Sequence, residues 1–461
     1  MTPDHDKPLH DKPLFGTDGI RGVANRHPMT PELVLQVGRA VCAVMGKGRA
    51  DVKIVIGKDT RKSGDMLVSA LASGICSQGG NVYMAGVIPT PGVAFLAKEI
   101  SAHAGIMVSA SHNPYEDNGI KVFDSRGFKL SDDTEQEIEK RIANPLFTES
   151  LPSKGEIGVI SDLKDAETRY ERFLTKGFAP GFLKGVRLVI DCSNGAASSI
   201  APKFFSGLGA DVTVLFNDPD GKNINNGCGS QHIETLAHMV VEKKADIGLA
   251  FDGDADRMIA VDESGRRITG DQVLFVCAGF MKDRGLLKNN LVVSTVMSNV
   301  GLGLALANKG ISHLITDVGD RQVLKAMREN NALIGGEDSG HTIYLDRHTT
   351  GDGILTGLRL LQSMVETGRP VSELSRIMAV YPQVLKNIRV CEKSDFFAIP
   401  EIAETISKAE KKLSGRGRVL VRYSGTRPLC RVMVEGPDRV ETEALCDEIV
   451  AVIKKHFGME G

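Results

Sequence analysis

No excess of either charge marks this sequence. Its 461 residues carry a formal net charge of -2, which argues against broad attraction to nucleic acid or membrane surfaces, although a small cationic pocket is compatible with a balanced total. No apolar run is long enough to span a bilayer. The polar start, Met1 to Pro13, repeats Asp-Lys-Pro-Leu and has none of the apolar core of a signal peptide, so it reads as a mobile tail. The eight cysteines occur singly, without a Cys-x-x-Cys pair or zinc spacing. They read as reduced, mostly small apolar fillers in a cytoplasmic protein. Cys228 and Cys430 stand beside candidate site loops, and packing is their expected role too. A Walker A lysine loop is missing, Gly301-x-Gly303 lacks the third glycine of a dinucleotide fingerprint, and no Gly-x-Ser-x-Gly elbow encloses Ser111. The last absence sets aside a serine-hydrolase triad.

What is present is an alternation. The length is too great for one ordinary core and predicts two to four domains. Strand-like runs and helix-like stretches follow one another in three blocks, as in α/β units with largely buried sheets. The first holds Val52–Ile56, Asp65–Ser77 and Val82–Val87; the second holds Val186–Ile190, Ser199–Leu208 and Glu234–Lys244. The third holds Leu291–Thr295, Val300–Ala307, Arg321–Glu329 and Gly353–Glu366. This is weak internal repetition, which a doubly wound array gives without duplication. After Pro370 the pattern changes. Strands at Val384–Val390, Arg418–Val421 and Arg431–Val434, with helices at Ile399–Leu413 and Glu441–His456, predict a small α+β domain. The expected division is 1–160, 161–262 and 263–374 as α/β domains and 375–461 as the α+β domain.

Two segments carry chemistry. The apolar run Ala104–Val108 enters Ser109-Ala110-Ser111-His112-Asn113-Pro114, whose small, amide and proline residues stop regular pairing. It reads as a strained polar turn lifting an exposed serine hydroxyl off a sheet edge, a nucleophile or phosphate carrier; the bland alternative is a structural turn serine. The second segment is Asp252-Gly253-Asp254-Ala255-Asp256-Arg257, between the apolar runs Ile247–Phe251 and Met258–Val261. Three carboxylates at alternate positions raise one another's pKa unless a cation joins them, and oxygen-only ligands favour magnesium or calcium over zinc. Asp252, Asp254, Asp256 and Glu263 fit positions one, three, five and twelve of an EF-hand loop, but Arg257 stands where that loop needs glycine, and strand-like runs replace its helices. Magnesium is the better reading. A triplet of aspartates in a solvated turn is the alternative.

Together the two segments resemble the alpha-D-phosphohexomutase family, which moves phosphate between the 6- and 1-hydroxyls of a sugar. Phe15-Gly16-Thr17-Asp18-Gly19-Ile20-Arg21-Gly22 is similar to its opening segment, Gly336-Glu337-Asp338-Ser339-Gly340-His341 to its sugar-recognition loop, and Arg422-Tyr423-Ser424-Gly425-Thr426 to its terminal phosphate loop. Five blocks in family order span nearly the whole chain. Asn223-Ile224-Asn225 with Cys228-Gly229-Ser230, and Thr295 to Asn299, look most like the branch acting on glucosamine phosphate. The resemblance implies three α/β domains and a smaller fourth around a central cleft, a small phosphosugar substrate and a homodimer. No nucleic acid or membrane partner is expected.

The resemblance also implies roles. Ser111 becomes the phosphoserine, ahead of its neighbour Ser109, and a phosphate there adds up to about two negative charges for magnesium held by Ser111, Asp252, Asp254 and Asp256 to neutralise. Arg21, Lys121 and Arg257 flank the transferring group. Lys121 is the candidate general acid or base, on the expectation that nearby cations depress its pKa. His341 shares proton transfer or binds sugar, while His112 shapes its loop. Glu337 and Ser339 hold sugar hydroxyls. Arg422, Ser424, Gly425 and Thr426 cradle the distal phosphate without metal. Each of these, alone, is more often a solvated charge or an ordinary turn. A sugar 1,6-bisphosphate is the implied intermediate and activator, turning end for end between two half-reactions in one pocket. The same fold admits phosphomannomutase or phosphoglucomutase activity, and a sugar-phosphate or cation binder without turnover is the alternative from another class. Asp338, at the variable position of its loop, is free to tune sugar choice. Arg427 departs from the glutamate usual there and faces either the phosphate or solvent.

Overall fold

Apolar runs too brief for helices form the strands, and amphipathic stretches between them cover the sheets. The computed structural model describes residues 13–49, 51–144, 156–391, 394–423 and 429–458, so the expected tail lies almost wholly outside the described residues. The first sheet comprises β1 (Ile20–Val23), β2 (Lys53–Lys58), β3 (Asn81–Val87), β4 (Ala104–Val108), β5 (Asp117–Asp124) and β6 (Ile160–Asp162), in the order β1-β5-β4-β2-β3-β6. The second has β7 (Arg187–Asp191), β8 (Asp211–Leu215), β9 (Ile247–Phe251), β10 (Met258–Asp262) and β11 (Arg267–Ile268), ordered β11-β10-β9-β7-β8. The third has β12 (Leu291–Thr295), β13 (Ser312–Thr316), β14 (Ile334–Gly336) and β15 (Thr342–Tyr344), ordered β13-β12-β14-β15. In the fourth, β16 (Gln383–Arg389), β18 (Leu429–Glu435) and β17 (Arg418–Tyr423) pair antiparallel, and the helices Pro400–Leu413 and Arg439–Phe457 share its core through Ile402, Ile406, Leu445 and Ile449.

By packing, the chain forms two compact units. One runs to Val296 and resumes over Leu314–Ser375; the other joins Met297–His313 to the chain from Arg376 onward. Three α/β sheets and one α+β layer are what the alternation predicted.

The first three sheets share one device. β4 pairs parallel with β2 and antiparallel with β5, β9 parallel with β7 and antiparallel with β10, and β14 parallel with β12 and antiparallel with β15. In each, the chain leaves a central parallel strand, makes a polar loop and returns beside it. The three loops so formed are those of Ser111, of the aspartate triplet and of Glu337–His341. This corrects the expectation of a sheet edge: β4 lies inside its sheet, and its loop hangs beyond the carboxyl end of a parallel strand, where α/β folds gather ligand-binding groups.

Helix caps match their local sequence. Thr30, Ser131, Asp352 and Asp438 each accept a backbone N–H of the first turn of the helix that follows. No helix among the described residues is long and apolar enough to cross a membrane, and none of the eight cysteines is in a disulfide.

One buried histidine gives the fold a testable pH response. His348 lies within 3.0 Å of the Pro91 carbonyl through Nε2 and accepts the Thr349 N–H at Nδ1 over 2.8 Å, which fixes the neutral Nε2–H tautomer. Burial, outweighing the Pro91 contact and aided by the charges of Lys98 and Arg347, pushes its pKa down from 6.5 to about 4. With the folded value depressed, its contribution is complete above about pH 6.5 and drains away towards pH 4, as the unfolded chain takes up a proton the folded one refuses. The full loss is roughly 3 kcal/mol. His348→Asn, which keeps an acceptor for Thr349, should lower the denaturation midpoint at pH 8 yet flatten its fall between pH 6.5 and 4. A variant with the wild-type slope would show that this residue is not responsible.

Candidate active site

Small polar residues after β4 leave the backbone free to turn sharply, and it turns at Ser111, whose φ is +53°. Such a conformation is strained for a side-chain-bearing residue and needs outside support. Arg61 supplies it. Its guanidinium, fully buried, donates to the carbonyls of Ser111 and Asn113 at 2.8 Å, of Asp117 at 3.1 Å, and of Pro114. Asp59 holds that guanidinium at 2.8 Å. Asn225 donates to the Ser111 and Asn113 carbonyls at 2.9 and 3.1 Å from a second direction.

The two serines of the loop are thereby separated. Ser109 is committed to the scaffold: its hydroxyl donates to Asp59 at 2.5 Å and accepts the Ser111 N–H at 2.9 Å. The Ser111 hydroxyl instead donates to Asp252 Oδ2 at 2.5 Å. Ser111 is not exposed as its polar surroundings suggested, since only 1% of its surface is open. The aspartate loop covers it, and that approach requires Gly253, where a Cβ would lie 2.6 Å from the Ser111 carbonyl.

Asp252, Asp254 and Asp256 follow β9 on a tight turn with Ala255 at φ +55°. All three are buried, and an oxygen from each lies within 4.8 Å of the others. Burial, reinforced by the charges of Asp256 and Asp254, raises the Asp252 pKa well above the usual carboxylate range. Asp254 Oδ1 and Asp256 Oδ1 are buried without a hydrogen-bond donor. Such oxygens carry a large desolvation penalty unless something positive meets them, so the cluster fits a hard divalent cation. Strands flank the triplet on both sides, and Glu263, far from the cluster in role, accepts from Ser372. The EF-hand reading has no support here.

The triplet has an organic partner. Lys121, buried on β5, donates to Asp254 at 2.7 Å and to Asp256 at 3.1 Å, and lies 3.2 Å from Asp18. Its expected depressed pKa is overturned: burial and the charge of Arg21 lower it, but the three carboxylates outweigh both and raise it well above 10.5. In sequence Lys121 stands between Ile120 and Val122, and nothing local reveals carboxylates contributed by two other loops. Asp18 was missed as a functional residue; its proximity to Lys121 depends on Gly19, at φ +79°, where a Cβ would strike the Ile120 carbonyl at 2.2 Å. Arg61 was missed as well, although a charged Asp-x-Arg directly after an apolar strand was a readable signal.

A cavity of about 430 Å³ opens beside these groups, lined by Asp18, Arg21, Arg257, Asp320, Glu337 and His341 among others. Arg21 pairs with Asp18 and donates to the Ala110 carbonyl at 3.3 Å. The Arg257 N–H donates to Asp252 at 3.1 Å, and Asp256 and Asp252 keep its guanidinium charged despite burial. Glu337 accepts the Gly319 N–H at 3.1 Å. The His341 ring stands 3.8 Å from Asp256 and 3.7 Å from Asp320. Ser339 is exposed and does not line this cavity. Asp338, expected to tune sugar choice, accepts the Asp271 N–H at 3.3 Å at the start of the helix Gly270–Asp283 and is not among the cavity residues. Arg422 is half-buried on β17 with its guanidinium 3.9 Å from the Met297 sulfur. Ser424, Gly425, Thr426 and Arg427 lie outside the described residues.

Comparison with known proteins covers the same ground. The phosphoglucomutase/phosphomannomutase family models match in order: alpha/beta/alpha domain I over residues 12–149, domain II over 173–265, domain III over 269–381 and the C-terminal domain over 385–452. The chain is 52% identical over 446 residues to a phosphoglucosamine mutase of Syntrophus aciditrophicus, covering 96% of this chain and 99% of that protein. It is 53% identical over 442 residues to one of Carboxydothermus hydrogenoformans, with coverage of 96% and 99%. Among solved structures, a phosphoglucomutase/phosphomannomutase family protein from Burkholderia thailandensis superposes with a TM-score of 0.78 at 25% identity, covering 96% of this chain and 99% of that one. An Aspergillus fumigatus N-acetylphosphoglucosamine mutase, solved with GlcNAc-6P and magnesium, gives 0.69 at 18% identity, over 96% and 95%.

Proposed function

The chain belongs to the phosphoglucomutase/phosphomannomutase family, and from that premise we propose that it interconverts glucosamine 6-phosphate and glucosamine 1-phosphate through a phosphorylated Ser111. The observation that carries the reading is the 2.5 Å hydrogen bond joining the Ser111 hydroxyl to the aspartate cluster. Full-length likeness to phosphoglucosamine mutases supports the choice of sugar.

Ser111 gives its phosphate to the free hydroxyl of the bound sugar phosphate and later accepts the other one, so a sugar 1,6-bisphosphate forms between the two half-reactions. A phosphate on Ser111 adds nearly two negative charges beside three carboxylates. Magnesium bound by Ser111, Asp252, Asp254 and Asp256 supplies the compensating charge and Lewis acidity. Arg257 and Arg21 orient and neutralise the transferring group. Lys121 is held as a cation, so its part begins as a proton donor to, or electrostatic partner of, the reacting oxygen, and His341 shares the proton transfer or binds the sugar. Glu337 binds the sugar. Ser339 and the second phosphate site, Arg422 with Ser424, Gly425 and Thr426, rest on motif alone. The reading includes a homodimer, a cytoplasmic location and domain limits near 160, 262 and 374.

Parallel assays on the 6-phosphates of glucosamine, glucose and mannose, with magnesium and a trace of glucose 1,6-bisphosphate, test the proposal. Glucosamine 6-phosphate should lead in kcat/KM by about tenfold or more. A lead for mannose or glucose 6-phosphate rejects the amino-sugar assignment, and no turnover by protein phosphorylated on Ser111 rejects the mutase.

A further inference from the structure

Lys129 has no role in any motif. It lies just past β5, where the chain turns back to bridge Phe123 with Lys129, and its ammonium is buried between two carboxylates remote in sequence. Asp18, 111 residues away, and Asp320, 191 residues away, both accept from it. From these the contacts continue into the site and close on themselves. Asp18 lies 3.2 Å from Lys121, Lys121 3.1 Å from Asp256, Asp256 3.8 Å from His341, and His341 3.7 Å from Asp320. Six side chains thus stand in a ring of alternating basic and acidic groups, Lys121 on β5 and the others beside the strands of the first, second and third sheets. Four of the six, Asp18, Asp256, Asp320 and His341, line the 430 Å³ cavity; Lys129 does not, and lines a separate groove of about 1250 Å³ instead.

We infer that Lys129 is a positioning residue of the phosphoryl-transfer site, bridging Asp18 and Asp320 so that Lys121, Arg21 and His341 are held at the reacting groups; this rests on the mutase reading above. Asp18 faces three cations, Lys121, Lys129 and Arg21. Without Lys129 it keeps two of them and is drawn toward them. Asp320 is left with only the His341 ring, 3.7 Å away and accepting the Gly351 N–H at Nε2, and loses the contact that fixes its carboxylate. Both shifts displace groups that touch substrate, although Lys129 itself touches none of it. In-line phosphoryl transfer depends steeply on such placement, since a displacement of about 1 Å is worth on the order of a hundredfold in rate.

The test compares Lys129→Met, Lys129→Arg and Asp320→Asn, with kcat, KM for glucosamine 6-phosphate and the thermal midpoint read for each. Lys129→Met should lose about a hundredfold in kcat while KM moves less than about threefold, the signature of lost transition-state alignment. Lys129→Arg keeps the charge between the two carboxylates and should recover to within about tenfold of wild type. Asp320→Asn removes the other half of the bridge and should repeat most of the Lys129→Met loss. The double variant should be no worse than the worse single one, because one link is broken in each. Wild-type kcat in Lys129→Met or in Asp320→Asn overturns the inference, as does a loss that only follows the folded fraction. If the wild-type chain shows no mutase turnover, the mutase reading has failed; if it turns over and the variants match it, only the positioning role falls.

Discussion

Replacing Ser111 by alanine should lower turnover by about four orders of magnitude or more while leaving the protein folded, because it deletes the atom proposed to carry the phosphate. The structural loss is one hydroxyl and its bond to Asp252, worth roughly 1 to 3 kcal/mol. The thermal midpoint should therefore move by only a few degrees. Ser109→Ala makes the informative contrast. It leaves the buried Asp59 and the Ser111 N–H each short of a partner, so it should loosen the loop and lower kcat by about tenfold to a hundredfold without abolishing phosphorylation. A Ser111→Ala protein with measurable turnover, or a Ser109→Ala protein as dead as it, would count against the assignment.

The second large effect is that of the metal. Stripping divalent ions should silence the enzyme and magnesium should restore it, because Lys121 meets only part of the charge of three buried carboxylates, and two of their oxygens have no donor. Asp254→Asn should raise the magnesium concentration needed for half-activity by tenfold or more, since one anionic ligand of the proposed three-carboxylate site is lost. Magnesium should also raise the thermal midpoint of the wild type, and much less that of the variant, because an ion that binds only the folded chain stabilises it in proportion to its affinity. Full activity after rigorous chelation would remove the metal from the account.

How far the sequence could be read depended on whether a signal was local. β4 and β9 coincide with the apolar runs Ala104–Val108 and Ile247–Phe251, and β12 with the strand-like run Leu291–Thr295, since a buried central strand is largely apolar and is bounded by residues that stop pairing. The helix Gly270–Asp283 was passed over for a related reason: it is buried nearly all round, so no polar face marks a period of 3.6. The Ser111 and aspartate loops were legible as chemistry, but their burial was not, because small polar residues look like solvent-exposed turns until another loop is laid over them. What the sequence hides most completely is charge pairing. Lys121 has the expected cationic neighbour in Arg21, but carboxylates from two other loops outweigh it. Lys129 and Asp320, 191 residues apart, have nothing in common until the fold brings them together.

The measurement closest to the central claim is the location of phosphate on active protein. Enzyme loaded with labelled phosphate from glucose 1,6-bisphosphate in the presence of magnesium, then digested and mapped by mass spectrometry, should carry one phosphate on Ser111, and on addition of excess glucosamine 6-phosphate the label should pass to the sugar while Ser111 is rephosphorylated from the unlabelled substrate. Phosphate on Ser109, or an active enzyme with no phosphate anywhere on residues 109–113, would contradict it.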